Sequence, residues 1–246
     1  MESPFLQAHG ILQYIGLFLS GVCHQLPEHS LVLAGRQIPL CARCSGTYLG
    51  ALLGLCNLWA RGRANASHLA PRRVLAVLAA FSALWAVDGL NSYYQFLTGS
   101  VALYTPSNLF RLATGMGTGL ALSLVIAPMF NFTFWREPDP RRVISGLGEL
   151  VALVLQVAGV VLLLQTRAGF LFYPLLAADT LSVLLVLAVV NSMIVVILLH
   201  RENTAERWAQ ALLPLLLGSL LTLVEVGGIS LLRYWLSPWL VPPTIG

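Results

Sequence analysis

The chain contains no lysine, and only 10% of its 246 residues are charged. An ordinary soluble domain carries about 25% charged residues. With 57% hydrophobic residues, a soluble fold of this length could not hide its apolar surface, so the solvent must be lipid. All 14 basic residues are arginine, and the net charge is +4. They sit mainly in short segments between apolar runs, which is the pattern of topology signals. No basic helix and no basic patch interleaved with aromatics occurs, so nucleic acid is not expected as a partner. Also missing are a glycine-rich phosphate loop after a strand, a Gly-x-Ser-x-Gly elbow and a His-Glu-x-x-His pair. Their absence argues against familiar nucleotide-driven or hydrolase chemistry, and the sequence leaves open whether the protein is an enzyme.

No polar linker is long enough to separate two units, so residues 1–246 read as one membrane domain. Apolar runs of about 20 residues mark spanning helices. They fall at 5–22, 42–60, 74–97, 108–134, 146–166, 172–199 and 209–236. The expected fold is all-α, a polytopic helical bundle of about seven spans. A merger of the fifth and sixth around Gly169 to Pro174 would give six. Residues 11–22 also precede a cysteine, as in a lipoprotein signal. No basic residue comes before them and Val22 occupies the place of a small residue, so they read as the first span.

Nine arginines lie in the three segments that follow the second, fourth and sixth spans. With seven spans, all three fall on one side. The positive-inside rule then puts the N-terminus in the cytoplasm, the C-terminus outside and residues 23–41 at the outer face of the cell membrane.

Four cysteines occur, and three of them bracket one short segment between the first two spans. Cys23-His24 opens it and Cys41-Ala42-Arg43-Cys44 closes it, with Gly35-Arg36 at its middle and prolines at 27 and 39. The pattern predicts a small hairpin within residues 23–44. A Cys-x-x-Cys pair aims two sulfurs at one ion, and ligands across a hairpin complete a tetrahedron. Cys23, His24, Cys41 and Cys44 form a Cys3His set, with His29 or Glu28 as alternatives to His24. Zinc is the default ion for thiolate and imidazole, and iron and copper also suit such ligands. Two other readings compete. Cys41 and Cys44 form a thiol–disulfide exchange motif, with Cys23 as relay, Arg43 favouring a thiolate and a quinone as electron acceptor. Alternatively, a fixed disulfide from Cys23 to Cys41 or Cys44 pins the hairpin. Cys56, inside the second span, reads as a small hydrophobe.

The run Cys23-His24-Gln25-Leu26-Pro27-Glu28-His29-Ser30, followed by Gly35-Arg36-Gln37-Ile38-Pro39-Leu40-Cys41-Ala42-Arg43-Cys44-Ser45-Gly46-Thr47-Tyr48-Leu49-Gly50, resembles a family of prokaryotic predicted membrane proteins, domain of unknown function 2085. The resemblance is strong over residues 23–50. It is weaker at Asp88-Gly89, Ser107-Asn108 through Arg111, and Thr114-Gly115. The family pattern carries Arg at the position of His29, which counts against an essential role for that side chain. The resemblance implies a membrane protein and brings no established activity.

Ionisable residues at bilayer depth are costly and must face the bundle interior, a cavity or a partner. Asp88, Arg111, Glu149, Asp179 and Glu225 lie within the expected spans. Asp88, Asn91 and Gln95 share one face of the third span, and Asn108, Arg111 and Thr114 share a face of the fourth. An Asp88–Arg111 ion pair on the hairpin side is expected. Asp88, Arg111 and Glu28 are candidate catalytic residues, and Asn108 and Asn91 are candidate cofactor contacts. Together they would line a polar cleft for a lipid-soluble or small ligand. Glu149 suits a helix N-terminus, while Asp179 and Glu225 could form a relay with Asn191 and Thr222. A transporter or channel would line its path with Asp88, Arg111, Asp179 and Glu225, although no pair of broken helices supports it. His9, His68, His200, Trp135, Trp208, Trp235 and Trp239 read as interfacial anchors. Gly46, Gly50 and Gly54, and Gly115 with Gly119, mark faces for close helix packing.

Overall fold

The computed structural model describes the backbone of residues 10–240 and the side chains of residues 10–236. His9, the side chain of Trp239 and the first residues of the expected span 5–22 lie outside the described residues. The fold is mostly helical. Helix α1 covers Ile11–Leu19, followed by strands β1 (Ser30–Leu33) and β2 (Arg36–Cys41) and helix α2 (Ala42–Ala60). Next come β3 (Ala66–His68), α3 (Arg72–Thr98), α4 (Asn108–Phe134) and β4 (Asp139–Arg142). Helices α5 (Leu147–Gln165), α6 (Phe172–Leu198) and α7 (Trp208–Leu240) complete the order. The helices coincide closely with the expected runs. The fifth and sixth do not merge, because the chain breaks after Gln165 and turns at Arg167, φ 53°, before a 3-10 turn at Gly169–Leu171 leads into α6.

Local chemistry sets the boundaries. Ser107 caps α4 by accepting from the Phe110 N–H at 3.3 Å, which satisfies one of the free N–H groups of the first turn. Helix α3 starts after Pro71 and stops at Gly99, whose φ of 69° is the left-handed conformation that ends a helix. Five helical segments are long and apolar enough to cross a membrane: α3, α4, α5, Gly169–Leu198 and Trp208–Leu236. Helices α1 and α2 fall outside that group among the described residues.

The reason for α2 is its position. It is the inner partner of α4, and its glycines are spent on approach rather than apolarity. A Cβ on Gly46 would strike the Leu112 carbonyl, and one on Gly50 the Met116 carbonyl. From the other side, a Cβ on Gly115 would meet the Arg43 carbonyl and one on Gly119 the Thr47 carbonyl. The two backbones therefore touch along several turns, as small residues permit in membranes. Around this pair, Leu112, Met116, Leu120, Val74 and Leu78 form the centre of the main core.

The three arginine-bearing segments meet at one end of the bundle. Strand β3 pairs in parallel with β4 through Ala66–Asp139 and His68–Arg142, and Trp135 bridges Ala205. Asn131 of α4 donates to the carbonyls of Ala64 and Ala66 at 2.7 and 2.9 Å. Arg63 forks onto Glu149 at 2.7 and 3.0 Å, so that acid is tied into the loops. Trp135 packs edge-on against Trp208 at 4.7 Å. The cysteine hairpin, joined directly to the start of α2, lies at the opposite end.

Replacing Gly46 or Gly119 with leucine forces α2 and α4 apart. Overpacking typically costs about 1–3 kcal/mol, occasionally more, and backbone opposes backbone here. We expect at least the upper part of that range, whereas Gly148→Ala, where a Cβ meets nothing within 4 Å, should be tolerated. Melting of the detergent-solubilised variants would check this.

Candidate metal centre

The segment between α1 and α2 is a true hairpin. Strands β1 and β2 pair antiparallel, with Leu33 opposite Arg36 and Ser30 opposite Cys41. The two turn residues, Ala34 and Gly35, have φ of 47° and 79°, the pair of positive angles that suits a tight hairpin. Leu31, Leu33, Ile38 and Leu40 are buried, which anchors the hairpin to the bundle. Because Cys41 ends β2 opposite the first residue of β1, it returns to the chain that enters the hairpin. Its N–H donates to Cys23 Sγ at 3.1 Å. Cys41 then caps α2, with Sγ accepting from the Cys44 N–H at 3.4 Å.

The entering chain is clamped as well. Arg233 of α7 donates to the carbonyls of Ser20, Cys23 and His24 at 3.0, 2.6 and 2.8 Å. Gln25, at φ 58°, donates to the Gly16 carbonyl at 2.7 Å. Arg233 is not among the residues that the sequence pattern singles out. Nothing in its spacing signals that it reaches back to the cysteines.

The clamped backbone brings ligand atoms together. Cys23 Sγ, one ring nitrogen of His24 and Cys41 Sγ lie within 4.8 Å of one another. His24 Nδ1 is 3.8 Å from Cys23 Sγ, and its Nε2 is 3.3 Å from His29 Nδ1. Cys44 stands outside that three-residue set, yet its thiol is close enough to Cys23 and Cys41 for both to act on it. All four cysteines carry free thiols in the structure, and Cys56 is exposed on α2.

The three clustered sulfurs are unequal. Cys41 is held well below the usual thiol range, first by its bond with Cys23 and then by those with the Cys44 side chain and N–H. The bond with Cys41 is also the main cause pushing Cys23 up to about 12. Burial, then the positive charge of Arg111, lowers His29. These surroundings favour one thiolate flanked by two thiol donors and an imidazole.

The expected Asp88–Arg111 ion pair does not form. Asp88, fully buried, is instead gripped by Arg43 from α2. Arg43 Nε donates to Asp88 Oδ2 at 3.0 Å, and Nη2 reaches the same oxygen, the Asp88 carbonyl and Ser92 Oγ. Tyr104 donates to Asp88 Oδ1 at 2.6 Å. Burial and this bond push the Tyr104 hydroxyl up to about 12. The expectation failed because Arg43 follows Cys41 by two residues and so faces α3, away from the sulfurs it was expected to activate.

The other candidates divide. Asn91 holds the loop before α4, donating to the Tyr104 carbonyl at 2.8 Å and accepting from the Leu103 N–H at 3.0 Å. Asn108 bridges to the hairpin through the carbonyls of Glu28 and Ser30, both at 3.1 Å, and accepts from Arg111 at 2.8 Å. Glu28 is exposed. Asp179 accepts from Ser45 at 2.8 Å and is fully buried. It therefore stands below the cysteines and apart from the expected relay. Glu225, exposed on α7, joins Asn191 at 3.0 Å, and Asn191 also donates to Thr222 at 2.9 Å.

Comparison with known families follows this geometry closely. Residues 23–125 match the model of DUF2085, a family of predicted membrane proteins. The DUF2085 region runs from Cys23 through the hairpin, α2 and α3 into α4, and so contains the cysteines, Arg43, Asp88 and Arg111. The chain is similar to an uncharacterized protein of Methanocaldococcus jannaschii, 28% identical over 109 residues. That alignment covers 44% of this chain and 64% of the relative. An uncharacterized protein of Methanothermobacter thermautotrophicus is 26% identical over 104 residues, covering 42% of this chain and 83% of that one. No solved structure matches.

Removing one partner of a buried ion pair typically costs about 3–5 kcal/mol. Asp88→Asn and Arg43→Met are therefore each expected to destabilise on that scale, and the double variant by less than their sum. Arg43→Lys should not restore stability, since an ammonium cannot fork across two oxygens and a hydroxyl. Denaturation of the four proteins in matched detergent is the measurement.

Proposed function

We propose that this integral membrane protein carries a transition-metal centre, zinc by default, built by Cys23, Cys41 and Cys44 with His24. The observation that carries the reading is the convergence of two sulfurs and an imidazole nitrogen within 4.8 Å, with the Cys44 thiol beside both sulfurs. A tetrahedral zinc with Zn–S near 2.3 Å and Zn–N near 2.0 Å separates its ligand atoms by roughly 3.5–3.8 Å. The 3.8 Å between Cys23 Sγ and His24 Nδ1 is close to that spacing. His29 supports the assignment of His24 from behind, since a ligating imidazole usually has a hydrogen-bond partner at its other nitrogen. Iron or copper would use the same donors. The positive-inside pattern supports an outer-face location, with the charged and amide groups of α3 and α4 next to the centre.

Thiol–disulfide exchange is the second reading, and the Cys41 environment favours it. Its sulfur caps a helix N-terminus and is the most readily ionised of the three, which activates a nucleophile. The balanced step would reduce one substrate disulfide to two thiols while Cys41 and Cys44 become a disulfide.

Elemental mass spectrometry on protein purified in mild detergent without chelator separates the readings. About one metal ion per chain is expected, lost in the Cys41→Ala/Cys44→Ala variant. His24→Ala should weaken binding more than His29→Ala, because second-sphere losses cost about 10–100-fold. Metal-free wild-type protein with a Cys41–Cys44 bond that cycles in cells would overturn the metal reading in favour of exchange.

A further inference from the structure

Arg111 is 5% exposed, yet no salt bridge is made by it among the described residues. Its Nη1 donates to Asn108 at 2.8 Å, while the buried Nε has no hydrogen-bond partner. Asn108 cannot turn to follow it, because its amide nitrogen is held by two hairpin carbonyls. The guanidinium is thus fixed by one corner, with its Nε–Nη2 edge left to something else. That edge is the one that forks onto two oxygens of a phosphate or carboxylate.

Arg111 carries the positive charge at that edge, and its charged neighbours are mostly engaged elsewhere. The charged groups that act on Arg111 are Arg43, Asp88, Cys41 and Glu28. Arg43 and Asp88 neutralise each other in their own pair, and the Cys41 sulfur is engaged by the Cys44 N–H and by Cys23. Glu28 is exposed, so water screens it. His29 faces Arg111 and brings no negative charge. The residue also lies in the first turn of the 27-residue helix α4, whose positive dipole end favours an anion. One turn into a spanning helix is the level of lipid phosphates.

We propose that Arg111, held at one corner by Asn108, is the anchor of a phosphate-binding site beside the cysteine cluster. The phosphate belongs either to an anionic lipid headgroup or to a free small molecule, and the same guanidinium edge takes both. This site is independent of whether the cysteines hold metal.

The test is the melting of detergent-solubilised protein titrated separately with inorganic phosphate and with short-chain phosphatidic acid. A saturable rise in Tm is expected in wild type, with affinity at least tenfold weaker in Arg111→Gln and unchanged in Arg63→Gln at the far end. Arg111→Lys, which keeps charge without the fork, should bind at intermediate strength and guards against a misfolded Gln variant. A response to both probes assigns free phosphate, and a response to the lipid alone assigns a headgroup. The Cys41→Ala/Cys44→Ala variant should keep the response, so loss of metal and loss of anion binding are read separately. Absence of a saturable shift with either probe, or an equal shift in Arg111→Gln and Arg111→Lys, would overturn the proposal.

Discussion

The contact on which the rest of the structure depends is the backbone-to-backbone seam between α2 and α4. Its glycines leave no room for a methyl group between the two helices. In a bilayer, helices gain little from burying apolar surface against one another, because lipid is equally apolar. Close approach and complementary polar bonds must do that work. The seam sets the depth of α2, and with it the positions of Cys41, Arg43 and Cys44 at its first turn. It also brings Arg111 and Asn108 of α4 up under the hairpin.

On that frame the polar residues sort by direction. Successive residues of the Cys-x-x-Cys turn point to different neighbours. The two cysteines face the entering chain, whereas Arg43 faces α3 and closes on Asp88. One helical turn thus supplies both the sulfur cluster and the ion pair that locks α2 to α3. Activity alone would confuse damage to one group with damage to the other, whereas metal content and stability separate them.

The helices were legible in the sequence because lipid imposes long apolar runs, and α2 and α4 fell at the expected residues 42–60 and 108–134. The hairpin was legible from Gly35 and its flanking short apolar stretches. The close seam was announced by glycines at four-residue spacing. The ion-pair partners were not legible. Asp88 and Arg111 lie on neighbouring faces of consecutive helices, which makes them natural partners on paper, but the closer guanidinium comes from a helix earlier in the chain. Asp179 was likewise assigned to Glu225, although Ser45 of α2 is its actual neighbour. Periodicity tells which face a side chain occupies and leaves open which helix stands opposite.

Arg233 carries a consequence for how the molecule comes into being. The carbonyls it holds belong to Ser20, Cys23 and His24, so the opening of the first loop is finished by a residue of the last described helix. During synthesis Cys23 and His24 precede α2 to α6, and their Arg233 clamp is made only once α7 has followed. Until then the backbone beside the sulfurs lacks the three Arg233 bonds. The entry to the hairpin is therefore completed late, by a residue beyond the 23–125 region that matches the family model.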